Sequence, residues 1–452
     1  MLPRIRSNDP HFYADIKQYL QRLSPDGSVV SQRSRDLTIR LFGTVMSPQH
    51  VVERICDDVR KKGIDAVLHY LRALDNPDAD AQSIRVAPER IQDAHRRATP
   101  EFLRCIRTVR ENVSRFQSAI LHHDIEVSGP QGTRMRHRYT PIRRVGLCIP
   151  GGAAAYPSTV LMTAVPALCA GVKEIVAVSP PTPFGAFNDD VLATCCELGI
   201  QEVYAVGGAQ GVAALAYGIE GIQPVDKIVG PGNLFVALAK KLVYGTVDID
   251  SIAGPSEVTV ITDHTTRPEF AASDLIAQAE HSPGASIVLS ASEAMLDAID
   301  VAIDLQLRSL ERSALAADSL KNFGASILCR DEEEIIHVAN ILAPEHLQIS
   351  VDQPDRFANA INNAGAQFLG HYTPVALGDY AAGPSHVLPT GATARWASGL
   401  TANDFLRSFS SVQFDLHSLQ AIGDTVSTLA TREGLTAHRQ SVLIRLNDRS
   451  SE

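Results

Sequence analysis

Short apolar runs alternate with longer amphipathic stretches through the middle of this chain. The runs Val145-Gly146-Leu147-Cys148-Ile149, Glu174-Ile175-Val176-Ala177-Val178, Glu202-Val203-Tyr204-Ala205-Val206 and Lys227-Ile228-Val229 have strand length, and helical spacing falls near 158–170, 187–198 and 209–217. A second series of runs lies at 258–261, 286–289, 326–328, 346–350 and 367–369, with helices near 267–281, 293–314, 331–342 and 354–363. Strand–helix alternation of this kind predicts parallel sheets with helices on both faces. The fold class is therefore α/β, with two such domains in succession.

The ends of the chain read differently. Residues 1–45 carry an amphipathic pattern (Phe12, Ile16, Tyr19, Leu20, Leu23) and then a polar loop with Pro25 and Gly27, predicting a helical arm. Helical spacing continues through Val51, Val52, Ile55 and Val59 and around Ile91 and Phe102. After Pro389 the strand signal fades into a helical and irregular tail.

A length of 452 residues allows a large core and more than one domain. The net charge of −10 argues against nucleic-acid binding, which needs a basic surface. Seven cysteines without C-x-x-C spacing, Cys195 and Cys196 being adjacent, suit a reducing compartment rather than disulfides or a thiolate zinc site. Met1 to Leu23 has no apolar leader core, and no run reaches the roughly 18 apolar residues of a membrane span. A cytoplasmic protein with no membrane partner is expected.

Ligands of open parallel sheets bind outside the carboxyl ends of the strands. On that edge of the first domain lie Pro150-Gly151-Gly152, Gly207-Gly208-Ala209-Gln210 and Gly230-Pro231-Gly232-Asn233. Glycine lets backbone N–H groups approach an anion closely, although the G-x-G-x-x-G fingerprint is absent. In the second domain the polar candidates gather on the amino edge. They are Ser256-Glu257 before one strand, Gln278 and His281 at a helix end before the next, and Glu345-His346 entering a third. Facing edges would form a cleft, with a nucleotide on one wall and reactive side chains on the other. Glu345 and His346 offer proton transfer near neutral pH. Gln278, His281, Asp379 and His438 have oxygen and nitrogen donors that suit Zn²⁺ or a similar divalent ion, but spacing does not assemble residues this scattered into one site, and a lone histidine is more often structural or at the surface. His386, in Gly383-Pro384-Ser385-His386, is either a substrate contact or a loop residue, and His122, His123 and His137 read as surface.

Ile249-Asp250-Ser251-Ile252-Ala253-Gly254-Pro255-Ser256-Glu257, continuing to Gln278-Ala279-Glu280-His281, resembles the signature of histidinol dehydrogenases. So do Val225 to Asn233, Ala343 to Leu347, Gly378-Asp379-Tyr380-Ala381, His386-Val387-Leu388-Pro389 and Glu433 to His438, in family order across roughly Arg143 to Arg445. The resemblance implies an NAD-dependent, zinc-containing enzyme that oxidises L-histidinol to L-histidine through an enzyme-held aldehyde. It implies zinc on Gln278, His281, Asp379 and His438, and Glu345 and His346 as the acid–base pair. Ser256, Gln278, His281, His346, Asp379, His386, Glu433 and His438 would contact substrate, and Cys148, Gln210 and Asn233 would contact NAD. Cys148 stands where many family members have Tyr, which implies weaker cofactor affinity.

The same resemblance implies a homodimer in which Glu433 and His438 complete the neighbour's site. The domains it implies are an arm (1–45), a zinc and substrate domain (46–142 with 254–388), a Rossmann-like NAD domain (143–253) and a dimerisation tail (389–452). A paralogous zinc- and NAD-dependent dehydrogenase of another polar alcohol is the alternative, and a non-catalytic binding protein on the same scaffold would release no NADH.

Overall fold

The computed structural model describes residues 2–22, 32–129, 132–152, 154–252, 254–281 and 284–447. They fall into two units, one drawn from 1–119 and 143–405, the other from 120–142 and 406–452. The strands in chain order are β1 (Arg4–Arg6), β2 (Ile125–Ser128), β3 (Arg134–Pro141), β4 (Arg144–Cys148), β5 (Glu174–Ser179), β6 (Glu202–Ala205) and β7 (Lys227–Val229). They continue with β8 (Asp248–Ile249), β9 (Ser256–Thr262), β10 (Gly284–Ser290), β11 (Ala325–Leu328), β12 (His346–Ser350), β13 (Ala366–Leu369) and β14 (Leu406–Gln413). Among the described residues no helix is long and apolar enough to cross a membrane.

Two wholly parallel sheets build the larger unit, in the orders β6-β5-β4-β7-β8 and β1-β11-β10-β9-β12-β13. Leaving β1 aside, both wind alike: third, second, first, fourth, fifth. The order reverses between β4 and β7 in one sheet and between β9 and β12 in the other. Strands covered on both faces need continuous apolar runs, and β4 and β10 are buried at every position.

Several expected boundaries move. The helices Pro48–Lys62 and Ile64–Leu74, expected to accompany the second sheet, bury Val51, Val52, Ile55, Val67 and Leu71 in the core of the first. The helix Pro88–Arg97 likewise packs on the first domain's Asp189–Glu197, and Pro100–Ala119 on Pro157–Ala170. Residues 1–45 are not a free helical arm. β1 pairs with β11, and Phe12, Ile16 and Tyr19 of the helix Phe12–Arg22 enter the second sheet's core; Leu23, Pro25 and Gly27 lie outside the described residues. The tail unit starts at 406 rather than 389 and includes 120–142. It holds the antiparallel sheet β14-β3-β2 with the helices Leu416–Arg432 and Thr436–Leu446.

Candidate active site

β9 and β12 are neighbours where the second sheet's order reverses, and the site stands at their amino ends. His346 opens β12 in register with Val258. The helix Glu332–Leu342 closes on Ala343, whose φ of 45° is left-handed, and Pro344 follows. This turn brings Glu345 against β9 before the strand begins, so the opposition of consecutive strand side chains does not separate it from His346. Glu345 Oε2 accepts from Ser256 Oγ at 2.6 Å and from Glu257 N at 2.9 Å, and lies 3.5 Å from His346 Nδ1. Gln278 Nε2 donates to the same Ser256 Oγ at 2.8 Å.

Both imidazoles are held the same way. His346 Nδ1 is 3.1 Å from the Glu257 carbonyl and His386 Nδ1 is 3.0 Å from the Asp379 carbonyl. A carbonyl only accepts, so each Nδ1 carries the proton. Each Nε2 is buried and, among the described residues, has no hydrogen-bond partner; that of His346 is 3.6 Å from Asp379 Oδ1. Asp379 sits in the short helix Ala376–Tyr380 after Gly378, where a Cβ would stand 2.5 Å from the Phe368 ring.

Burial shapes the charges. It raises the Glu345 carboxyl, and it lowers the His386 imidazole. At His346 burial opposes charging, but Glu345 and Asp379 outweigh it and raise the imidazole to about 9. Burial would raise Asp379 too, yet His346 holds it below the ordinary range.

The first sheet's carboxyl edge is a tight backbone cradle. A Cβ on Gly151 would stand 2.3 Å from Gly185 Cα, and one on Gly230, at φ 109°, would stand 2.4 Å from the Cys148 carbonyl. Gln210 Oε1 and Ser179 Oγ are buried there without hydrogen-bond partners among the described residues. Asn233 caps the helix Leu234–Val243, its Oδ1 accepting from Phe235 N and Val236 N at 3.1 Å. Burial pushes the Cys148 thiol up to about 12. Ile249, ending β8, and Ser256, opening β9, are seven residues apart. That connector spans at most about 25 Å, so the carboxyl edge of one sheet and the amino edge of the other are near each other where the chain crosses.

The family model described as histidinol dehydrogenase matches residues 43–446. A histidinol dehydrogenase of Rhodopirellula baltica is 56% identical over 94% of this chain and 92% of its own length, and one of Clostridium acetobutylicum is 42% identical over 95% and 99%. The chain belongs to the histidinol dehydrogenase family. A crystal structure of the histidinol dehydrogenase from Elizabethkingia anophelis superposes with a TM-score of 0.87 at 31% identity, covering 98% of each chain.

Membership of the histidinol dehydrogenase family makes the chain an oxidoreductase acting on a CH–OH group. Ser256, Gln278, Glu345, His346, Asp379 and His386 form one connected network. His281 does not lie on the helix with Gln278. The helix Pro268–Ala279 ends first, and His281 stands exposed in the following turn, where its charge still acts on Asp379. Glu433, at the end of Leu416–Arg432, and His438, in the first turn of Thr436–Leu446, are exposed residues of the smaller unit. Among the described residues no group of three or more His, Cys, Asp or Glu is placed to hold a metal.

Sequence reasoning places Glu257 on this edge but gives it no role. It is 1% exposed, and its Oε1 accepts from Gly391 N at 3.0 Å. Burial and the neighbouring Glu345 push its carboxyl up to about 8. The available signal was a carboxylate leading directly into an apolar run.

Proposed function

We propose that this chain is an NAD-dependent, zinc-containing histidinol dehydrogenase. It would oxidise L-histidinol to L-histidine, the last step of histidine biosynthesis, as a cytoplasmic homodimer whose tails complete the neighbouring sites. The observation that carries the reading is the Ser256–Glu345–His346–Asp379 network, with a buried, unpartnered Nε2 beside a carboxylate, within a chain so similar to histidinol dehydrogenases.

The residues fit both groups. Buried Gln210 Oε1 and the glycine cradle suit a dinucleotide, with Asn233 and the Cys148 backbone beside it. Gln278, His281 and Asp379, joined by His438 of a second copy, make an oxygen-and-nitrogen donor set with no thiolate. NAD⁺ would accept hydride, and a divalent cation would orient the substrate's polar atoms. His346 Nε2 takes the alcohol proton as the C–H hydride leaves. Glu345 then takes a proton from water as its oxygen adds to the aldehyde carbon, while His346 returns its proton to the carbonyl oxygen; the neutral imidazole next accepts the hydrate's O–H proton as a second hydride departs. Asp379, as one of the residues that would hold the cation, would then no longer favour the imidazolium, leaving Glu345 as the carboxylate that does. Ser256 and His386 hold the substrate, and Glu433 of the second copy meets its ammonium group in a charge-assisted bond.

NADH release on adding L-histidinol, with and without a chelator, tests the reading. Two NADH per histidinol are expected, with activity lost to the chelator and restored by zinc. NADH from small diols but not from L-histidinol would transfer the site to another polar alcohol.

A further inference from the structure

Two buried charges lie beneath the turn that follows β7. Lys240, on the helix Leu234–Val243, and Asp250, just beyond β8, form an ion pair whose side chains are 2% and 3% exposed. Burying such a pair costs desolvation that attraction alone seldom offsets, so its retention turns on the further bonds it makes. Two of those bonds go to one residue. Lys240 Nζ donates to the Gly230 carbonyl at 3.0 Å, and Asp250 Oδ2 accepts from Gly230 N at 2.7 Å. The third side of Gly230 is closed by the Cys148 carbonyl, which admits no side chain there. Asp250 Oδ1 also accepts from Ser251 N at 2.7 Å, tying down the start of the connector to β9. An apolar pair would fill the same space without gripping the backbone.

We infer that Lys240 and Asp250 are positioning residues for the cofactor. By holding both backbone groups of Gly230, they set the turn from Gly230 to Asn233 in the shape that receives the dinucleotide. They act through Gly230 rather than on the cofactor, and the inference rests on the NAD reading above.

The test uses the full-length protein as wild type, Lys240→Met, Asp250→Leu and the double variant. NAD⁺ binding is measured by calorimetry and NADH binding by fluorescence, both without alcohol, alongside thermal unfolding. Each single change leaves one buried charge uncompensated and should lower Tm. The double variant should regain most of the lost Tm yet bind NAD⁺ roughly tenfold more weakly, with KM for L-histidinol unchanged. A double variant that regains both Tm and NAD⁺ affinity, to within about twofold, would overturn the assignment. If the double variant does not fold, hydrogen exchange at the Gly230 amide in Asp250→Leu decides. Faster exchange with weaker NAD⁺ binding is expected, and undiminished affinity would refute the role. Wild-type protein that binds neither NAD⁺ nor NADH would overturn the dinucleotide reading, and this assignment with it.

Discussion

Glu345 and His346 are adjacent in sequence but hold different partners. Glu345 reaches Ser256 Oγ and the Glu257 amide, while His346 spends Nδ1 on the Glu257 carbonyl and leaves Nε2, 3.6 Å from Asp379 Oδ1, without a hydrogen bond among the described residues. That difference supports separate duties, water activation for the carboxylate and alcohol and hydrate deprotonation for the imidazole. Glu345→Gln should therefore cut oxidation of the aldehyde by about 100-fold or more and spare oxidation of the alcohol. Single-turnover measurements with L-histidinol and L-histidinaldehyde separate the steps, and equal losses in both would end the division of labour. The pair could be read in the sequence because its residue types are chemically informative. Its geometry could not, since it depends on a left-handed Ala343 that no glycine announces. Glu257 could be placed on this edge but given no role, because a carboxylate at a strand entry usually faces solvent, and only the Gly391 turn and Glu345 disclose that this one is enclosed.

Most strands of the two parallel sheets were readable as short apolar runs, β12 as the alternation His346-Leu347-Gln348-Ile349-Ser350, and β4 to β7 and β9 to β13 fall where those patterns predict. β2, β3 and β14 were not. β3 reads Arg134-Met135-Arg136-His137-Arg138-Tyr139, with half or more of its length exposed, so no apolar face marks it. An amphipathic helix reveals that it docks but not on what, which is why Pro48–Lys62 was assigned to the wrong sheet. This helix carries its own acid sensitivity. Burial raises the Asp58 carboxyl, but bonds from Lys62 (2.7 Å), Tyr70 (2.7 Å) and Arg54 (3.1 Å) outweigh it and hold it at about 2. A depressed folded-state value gives stability that is present above the unfolded value near 4 and lost as pH falls through the folded value. Asp58→Asn should cost about 1–2 kcal/mol at neutral pH, and the deficit should shrink between about pH 4 and 2. Urea unfolding followed across that range measures it, and a pH-independent deficit would mean the carboxylate is not the source.

At the scale of the whole molecule, Glu433 and His438 belong to a different unit from Glu345, and the proposed dimer supplies them from the other copy. Mixing two inactive variants distinguishes this arrangement from a self-contained chain. Glu345→Gln refolded together with His438→Asn should recover about a quarter of wild-type activity. Half the dimers are then mixed, and each has one intact site made of one chain's core and the other's tail. A mixture as inactive as its components would place His438 in its own chain's site. His438→Asn alone should also lose zinc, as read by metal analysis. Sequence placed both residues in a tail, but spacing alone gives no information on which copy a tail serves.

The six residues 250–255 between β8 and β9 act mechanically as a tether. Asp250 anchors one end to Gly230, and Gly254 N is bonded to Thr390 Oγ1 at 2.6 Å near the other. With so little chain to spare, the carboxyl edge of the first sheet stays within about 25 Å of the amino edge of the second where the chain crosses. Any parting of the two edges is limited at this crossing to the length of the strap and is freest at the points farthest from it.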